Sequence, residues 1–367
     1  MSLYKNGLFI EDIEHVAQLD LPWEKLQSKN ILISGATGLV GSFLVDVLMR
    51  RNEDGLNCAV YALSRNGRKA KARFSNWCGR AGLKIIPFDV RQVLATIDVG
   101  TMEYVIHMAS NTHPMQYSTD PIGTIATNII GAKNMLNFAV EHEATRFAFA
   151  SSNEIYGENR GDAEQFDEGY CGYIDCNTTR AGYPESKRCT EALCQAYSAQ
   201  MGLDVVIPRL TRSYGPTMLS SDTKAISQFI KKGIAGEDVV LKSAGMQYYS
   251  YTYVADAVSG ILTVLLKGEN GEAYNIADER SDVMLKDLAA IVARIAGTEV
   301  VFEIPDEVEA AGYSVATKAR LDGSKLRSLG WNAKYDIQAG MERTICILRK
   351  EGFADRGQNA QSAEQML

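Results

Sequence analysis

Clustered metal ligands, long apolar runs and a basic leader are all missing from this sequence. Its four histidines are scattered and its seven cysteines include no C-x-x-C, so zinc spacing is absent. No run approaches the ~18 uncharged apolar residues of a membrane helix. The first twenty residues carry four acids, unlike the basic start of a signal peptide. We therefore expect a cytoplasmic protein with reduced cysteines, no metal and no membrane partner.

An excess of basic charge is missing as well. The chain has 38 Lys and Arg against 45 Asp and Glu, for a net charge of -7. Such a balance argues against a nucleic-acid partner, but not against a small anionic ligand, because a local cluster can overrule the net sign. With 367 residues, 46% of them hydrophobic, the chain has the composition of an ordinary globular protein with one large or two moderate domains.

Short apolar runs alternate with stretches of helical spacing in the first part of the chain. Ile31–Ile33 and Ala59–Leu63 are typical of buried strands, and Ile122–Val140 and Pro184–Gln200 of long helices. This alternation predicts an α/β fold, a Rossmann-like doubly wound parallel sheet. The looser pattern after Arg209 predicts a smaller C-terminal α/β lobe that closes over the carboxyl edge of the sheet.

A glycine-rich segment follows the first apolar run directly. It reads Ser34-Gly35-Ala36-Thr37-Gly38-Leu39-Val40-Gly41, which is G-x-x-G-x-x-G between a strand and a helix. Glycines let a pyrophosphate approach the backbone, and a helix N-terminus offers free N–H groups and a positive dipole end. This context predicts a dinucleotide site, whose expected contacts are Gly35, Thr37, Gly38, Leu39, Val40 and Gly41.

The residues after the second and third strands bear on which dinucleotide binds. An acid commonly accepts the ribose 2′-OH of NAD after the second strand, but here the chain reads Ser64-Arg65-Asn66. Ser64 and Arg65 suit a 2′-phosphate, or Arg65 stacks on adenine, or it is solvated surface. NADP is favoured and NAD stays open. Asp89 is a candidate for the adenine amino group and equally an ordinary turn acid.

A second motif supplies candidate catalytic groups. Tyr183 and Lys187 form Y-x-x-x-K and share one helix face. An ammonium beside a phenol lowers its pKa, which makes Tyr183 a base for a sugar hydroxyl while hydride leaves the carbon. Ser152, where the fifth strand ends, is expected to share the substrate oxygen. Glu154 is expected on the same side of an extended strand end, as a base, an orienting group or a surface acid.

The glycine segment, Ser152 and the Tyr183/Lys187 pair resemble, in order and placement, the extended short-chain dehydrogenase/reductase family over residues 29–350. Further segments are similar to its UDP-glucuronate decarboxylase group: Val105–Ser110, Tyr117–Ile122, Thr127–Gly131 followed by Asn134–Leu136, and Tyr170–Tyr173 with Arg180–Tyr183. The resemblance implies a nucleotide sugar that bound NAD(P) oxidises at C4 and later reduces. It adds five cofactor contacts, which are Val90, Met108, Ala109, Ser110 and Asn128.

Two positions depart from that group's pattern. Its Q-x-R-x-F-x-Y-V-x-D run carries an arginine for diphosphate or carboxylate, and here Tyr249 takes that place. In R-x-x-N-x-Y-G-P, Arg212 replaces the asparagine. A phenol cannot form a bidentate charged clamp, so we expect Arg212 to meet the diphosphate unless it forms a salt bridge elsewhere. The remaining expected substrate contacts are Ser110, Asn153 and Arg320.

The resemblance leaves the exact reaction open. It favours a UDP-glucuronate decarboxylase-like lyase, with a 4-epimerase or a 4,6-dehydratase as alternatives. Asn153 weakens the dehydratase, which typically has Asp there. A non-catalytic cofactor-binding regulator is the alternative of another class, and the presence of both Tyr183 and Lys187 counts against it.

Four segments organise the chain under this interpretation. They are an N-terminal extension (1–28), an NAD(P)-binding Rossmann domain (29–208 plus 253–271), a nucleotide-sugar-binding lobe (209–252 plus 272–350) and a frayed tail (351–367). A homodimer is expected through the two long helices. The expected seam is Leu136, Ala139, Leu193 and Ala196, unless these side chains pack on their own sheet.

Overall fold

The computed structural model describes residues 3–93, 100–112, 117, 119–303 and 317–350, so the expected tail 351–367 lies outside the described residues. The helices are α1 Gly7–Ala17, α2 Leu39–Glu53, α3 Gly67–Arg73, α4 Pro121–Glu141, α5 Gly182–Met201, α6 Ala225–Ala235, α7 Val254–Lys267, α8 Leu285–Ala296, α9 Ser324–Ser328 and α10 Ile337–Lys350. The strands are β1 Asn30–Ser34, β2 Ala59–Ser64, β3 Leu83–Pro87, β4 Tyr104–His107, β5 Arg146–Phe149, β6 Ser151–Ser152, β7 Val205–Leu210, β8 Arg212–Tyr214, β9 Val239–Leu241, β10 Tyr248–Tyr253, β11 Ala273–Ile276, β12 Asp282–Met284, β13 Val300–Phe302 and β14 Lys318–Ala319.

Among the described residues, the large sheet has eight parallel strands in the order β11-β7-β5-β4-β1-β2-β3, with β6 pairing with β7. The chain runs outward from β1 to β3 and then returns to β4 on the other side of β1. This reversal places the topological switch point between β1 and β4, where open α/β sheets bind ligands. The predicted Rossmann-like doubly wound sheet is confirmed.

The sheet is covered on both faces, which explains its continuous apolar strands. On β1, Ile31 and Ile33 face one apolar core and Leu32 faces the other, because successive side chains point to opposite faces. The second core contains Leu136 and Ala139 of α4, both fully buried. These two residues therefore pack on their own sheet, and their expected place in a dimer seam is wrong.

Two smaller sheets lie in the C-terminal part of the chain. One has the order β12-β10-β14 with β8 pairing with β10, and the other is β13-β9. Strand β11 belongs to the large sheet, where it pairs with β7. The sheet of the Rossmann domain thus extends past the boundary expected at residue 271, because β11 forms its edge strand. The other domain boundaries stay predictions.

Polar contacts join the N-terminal segment to the far end of the chain. Asp12 of α1 is fully buried and accepts hydrogen bonds from Tyr253 at 2.6 Å and Tyr335 at 2.8 Å. It also pairs with Arg343 of α10 at 2.9 Å. Within the described ranges, no helix is long and apolar enough to cross a membrane.

Candidate active site

The turn between β1 and α2 depends on glycine at two positions. Gly35 has a φ of +69°, and a Cβ there would lie 2.8 Å from the Ala109 nitrogen. A Cβ on Gly41 would lie 2.3 Å from the Gly35 carbonyl oxygen. Gly38 caps α2 without a side-chain hydrogen bond, so the first N–H groups of the helix lack a capping side chain. This close, donor-rich turn fits a pyrophosphate.

A buried serine ties this turn to the end of β4. The Ser34 hydroxyl accepts hydrogen bonds from the nitrogens of Met108 at 3.1 Å and Ala109 at 3.2 Å. It lies 2.7 Å from His107 Nδ1, and we assign its own proton to that nitrogen. Burial lowers the pKa of His107 to about 3, which keeps the ring neutral. Sequence analysis missed the positioning role of Ser34, although its place between strand and glycine was visible.

The end of β2 is open to solvent. The hydroxyls of Ser64 and Thr37 lie 3.3 Å apart, and Arg65 is exposed beside them. The Asp89 carboxylate, which follows β3, forms a bidentate pair with Arg91, whose Nε donates to Oδ1 at 3.1 Å and whose Nη2 donates to Oδ2 at 2.6 Å. The same carboxylate accepts the Arg91 backbone N–H at 3.0 Å. The contact of Asp89 with adenine stays a prediction, and a bound adenine would have to share this carboxylate with Arg91.

Two other expected cofactor contacts have structural partners. The Val90 side chain is buried in the second core, and its carbonyl accepts a hydrogen bond from Asn134 at 3.0 Å. Asn128 accepts from the Ser110 hydroxyl at 2.7 Å and donates to Ser186 at 2.8 Å. Asn128 therefore links the end of β4 to α5, and its predicted contact with cofactor stays a prediction.

The candidate catalytic groups meet at the carboxyl edge of the large sheet. Tyr183 lies in the first turn of α5 with 6% of its surface exposed. The hydroxyls of Ser152, at the end of β6, and Ser110 lie beside its phenol and favour its ionised form through hydrogen bonds. Lys187 is buried, and its ammonium donates to the Ala150 carbonyl at 2.8 Å. That ammonium lies 6.0 Å from the Tyr183 ring centroid.

The pKa of Tyr183 differs from expectation. Burial raises the pKa of this phenol above its usual 10.0, and the nearby Glu154 raises it further. Burial also lowers the pKa of Lys187 to about 8. The expected net lowering of the phenol pKa is wrong for the protein alone, because desolvation outweighs the groups that lower it.

Glu154 reaches the site by a different route from the one expected. Asn153–Tyr156 forms a 3-10 turn, capped by the Ser152 hydroxyl, which accepts from the Glu154 nitrogen at 3.2 Å. The extended strand end expected here is therefore wrong. The Glu154 carboxylate instead forms an ion pair with Arg180 at 2.8 Å.

Arg180 and Tyr117 complete this cluster, and sequence analysis did not assign them roles. The Arg180 guanidinium lies 5.1 Å from the Tyr117 ring centroid. The Tyr117 ring in turn stacks on Tyr183 with centroids 4.9 Å apart. Arg180 also lowers the pKa of Tyr183, opposing Glu154. Its position three residues before Tyr183 was the available signal.

The residues expected to contact substrate differ in burial and in the partners that they already have. Asn153 is buried, and Arg212 stacks over the Tyr249 ring at 3.5 Å. Arg320 already meets Glu164 at 3.2 Å and lies 3.9 Å from Asp282. A substrate anion would have to compete with two carboxylates for Arg320, but not for Arg212 within the part of the chain that the structure describes.

Comparisons with known proteins agree with this geometry. Residues 31–277 match the family model described as the NAD dependent epimerase/dehydratase family. UDP-glucuronic acid decarboxylase 1 of Xenopus tropicalis is 32% identical over 88% of this chain and 73% of its own. UDP-glucuronic acid decarboxylase 5 of Arabidopsis thaliana is 30% identical over 85% of this chain and 86% of its own.

Two solved structures share the fold. The UDP-glucose 4-epimerase of Thermotoga maritima superposes with a TM-score of 0.75 at 24% identity, covering 88% of this chain and 99% of that one. The dTDP-glucose 4,6-dehydratase of Streptomyces venezuelae, solved with NAD bound, gives 0.76 at 24% identity, covering 89% and 99%. From the family match and the 32% identical relative together, the chain belongs to the NAD dependent epimerase/dehydratase family.

Proposed function

We propose that this protein modifies a nucleotide sugar through transient oxidation of the sugar at C4, as a UDP-glucuronate decarboxylase-like enzyme. The observation that carries the proposal is the meeting of Tyr183 with the Ser152 and Ser110 hydroxyls beside the glycine turn. The 32% identity to a UDP-glucuronic acid decarboxylase supports the choice of substrate. A regulator without activity would not need this hydroxyl cluster.

The cofactor is proposed to lie along the β1–α2 turn. Of the two nicotinamide cofactors that the sequence leaves open, the family description names NAD. Gly35 and Gly41 allow the turn to pack tightly on neighbouring backbone, and the N-terminus of α2 provides N–H groups for the pyrophosphate. When bound, NAD supplies the acceptor for the C4 hydride and later returns it.

The residues of this chain would handle the protons. The positive charge of bound NAD would lower the pKa of the Tyr183 phenol. In its ionised form Tyr183 would take the proton of the C4 hydroxyl while the hydride leaves C4, with the Ser152 hydroxyl hydrogen-bonded to the same oxygen. The resulting C4 ketone makes a C5 carboxylate part of a β-keto acid, whose C5–C6 bond breaks to release CO2. C5 of the enolate that remains would then take a proton from water, and Tyr183 would return its own proton to the C4 oxygen on reduction. The Lys187 ammonium would place a positive charge 6.0 Å from the centroid of the Tyr183 ring.

The alternatives differ in the fate of the C4 ketone. An epimerase returns the hydride to the other face, and a 4,6-dehydratase expels water from C6. Asn153 is buried and carries no acidic proton, which disfavours the dehydratase. The 4-epimerase stays open.

Assembly and location complete the proposal. We propose a homodimer whose seam uses the exposed face of α4, where Ile122, Ile125 and Ile130 are 81%, 38% and 49% exposed. We also propose a cytoplasmic location, which the seven free cysteines support.

The decisive experiment is incubation of the NAD-loaded protein with UDP-, dTDP-, CDP- and GDP-sugars, followed by mass spectrometry. A loss of about 44 Da from UDP-glucuronate indicates decarboxylation, and a loss of about 18 Da indicates dehydration. An isomer of unchanged mass indicates epimerisation. No product from any nucleotide sugar would refute the proposed function.

A further inference from the structure

Arg212 differs from three other arginines near the candidate site. Arg180, Arg209 and Arg320 each meet a carboxylate, at 2.8, 2.7 and 3.2 Å. Arg212 is partly buried, and within the described chain its side chain forms no ion pair and no hydrogen bond. Its Nη1 atom is buried without a partner. A buried guanidinium N–H left unpaired is costly, so this position calls for an acceptor.

An aromatic ring holds the Arg212 guanidinium in place of a carboxylate. The guanidinium carbon lies 3.5 Å from the centroid of Tyr249, a buried residue of β10. The ring favours the cation through its face and fixes the guanidinium plane. Unlike a carboxylate, the ring does not neutralise the positive charge, and it leaves the N–H groups along the edge of the guanidinium fork open to an acceptor. The arrangement therefore presents an oriented cation that can still take an anion.

The strand register places this cation near the catalytic groups. Ser152 of β6 pairs with Leu210 of β7, and Arg212 follows two residues later. Arg212 in turn pairs with Tyr251 of β10, so it joins the large sheet to the smaller one. Ligands of such folds bind at this carboxyl edge. Arg212 thus borders the region where a substrate of Tyr183 would lie.

A nucleotide sugar offers two kinds of anion to such a fork, its diphosphate and, in UDP-glucuronate, the sugar carboxylate. Both accept two parallel N–H bonds from a guanidinium. We infer that Arg212, backed by the Tyr249 ring, is the residue that anchors an anionic oxygen group of the nucleotide-sugar substrate. This inference rests on the proposed function, which supplies the substrate class.

The test uses the full chain loaded with NAD, titrated calorimetrically with UDP, dTDP, UDP-glucose and UDP-glucuronate. Arg212→Ala is expected to weaken binding about 10- to 100-fold, the loss of a hydrogen bond to a charged group, and to leave NAD affinity unchanged. Arg212→Lys keeps the charge without the fork and is expected to lose less. Arg212→Gln keeps bulk over the ring and serves if the alanine variant does not fold.

Arg51→Ala is the matched control. Arg51 also stacks on an aromatic ring, Trp23 at 4.8 Å, and also has a buried unpartnered nitrogen. It lies in the last turn of α2, which begins at the carboxyl edge and runs away from it. Its substitution is expected to leave all ligand affinities unchanged.

The outcomes distinguish the diphosphate from the carboxylate as the partner of Arg212, and the inference about Arg212 from the proposed function. Equal weakening for UDP and both UDP-sugars assigns Arg212 to the diphosphate, and weakening confined to UDP-glucuronate assigns it to the carboxylate. Unchanged affinities in Arg212→Ala, or equal losses in Arg51→Ala, overturn the inference alone. If the wild-type protein binds none of these ligands, the proposed function fails and the inference fails with it.

Discussion

Removing the hydroxyl of Tyr183 is expected to change the free energy of unfolding little and the turnover greatly. In Tyr183→Phe the ring stays stacked on Tyr117, whose centroid is 4.9 Å away. The neighbouring hydroxyls keep other partners, because Ser110 donates to Asn128 and Ser152 accepts from the Glu154 nitrogen. The free energy of unfolding should therefore fall by only about 1 kcal/mol, the net value of a typical hydrogen bond.

Turnover in Tyr183→Phe should fall far more than stability does. General acid–base catalysis contributes about 100-fold or more, which equals about 2.7 kcal/mol in the barrier. The assay is product formation by mass spectrometry, with urea unfolding and NAD titration on the same preparation. Tyr197→Phe is the control, because the Tyr197 hydroxyl lies on the same helix but donates to Asn137, away from the site. Turnover of Tyr183→Phe within about threefold of wild type would refute the acid–base role.

Three further predictions concern charge and assembly. Glu154 raises and Arg180 lowers the pKa of the catalytic phenol, which must be ionised to act as a base. The ascending, low-pH limb of the kcat/KM–pH profile should therefore move to higher pH in Arg180→Gln and to lower pH in Glu154→Gln, and the same shift in both would contradict this. Burial lowers the pKa of Lys187 from 10.5 to about 8, so this side chain by itself makes the free energy of unfolding of the cofactor-free chain rise with pH between these values. Buried groups with a raised pKa, such as Cys58 and Tyr156, act in the opposite sense. Urea unfolding should therefore show that the difference in free energy of unfolding between wild type and Lys187→Met grows with pH in this range. Light scattering should show a dimer that Ile130→Arg converts to monomer, whereas Leu136→Ala should cost about 2–5 kcal/mol of stability without changing the mass.

The fold was predictable because its signal is local and periodic. Ile31, Leu32 and Ile33 are buried on both faces, and such continuous apolar runs between amphipathic helices occur in parallel sheets. Strand β11 lies beyond the expected boundary of its domain, since a short edge strand far along the sequence has no periodic signal of its own. Pairing across that distance is a tertiary property.

The sequence predicted which residues form the site, but not their pKa values or their contacts with one another. The motifs brought Ser152, Tyr183 and Lys187 to one edge, yet the direction of the Tyr183 pKa depends on burial, which spacing does not show. The pairing of Asp89 with Arg91 and the 3-10 turn at Glu154 also follow from local geometry that a residue pattern leaves open. The sequence linked the substitutions at positions 212 and 249 through charge, but the stacking of the Arg212 guanidinium on the Tyr249 ring is a tertiary contact that the sequence did not show.

The central claim is that the hydride removed from the sugar C4 is held by the enzyme and returned to the same molecule. A nucleotide sugar carrying deuterium at C4, chosen from the substrate panel, tests this directly with NAD-loaded enzyme in ordinary water. The account predicts that the product keeps the deuterium, while the absorbance band of reduced nicotinamide appears transiently and more slowly than with unlabelled substrate. Product that has lost its deuterium to solvent, or that forms at full rate without any reduced nicotinamide, would contradict it.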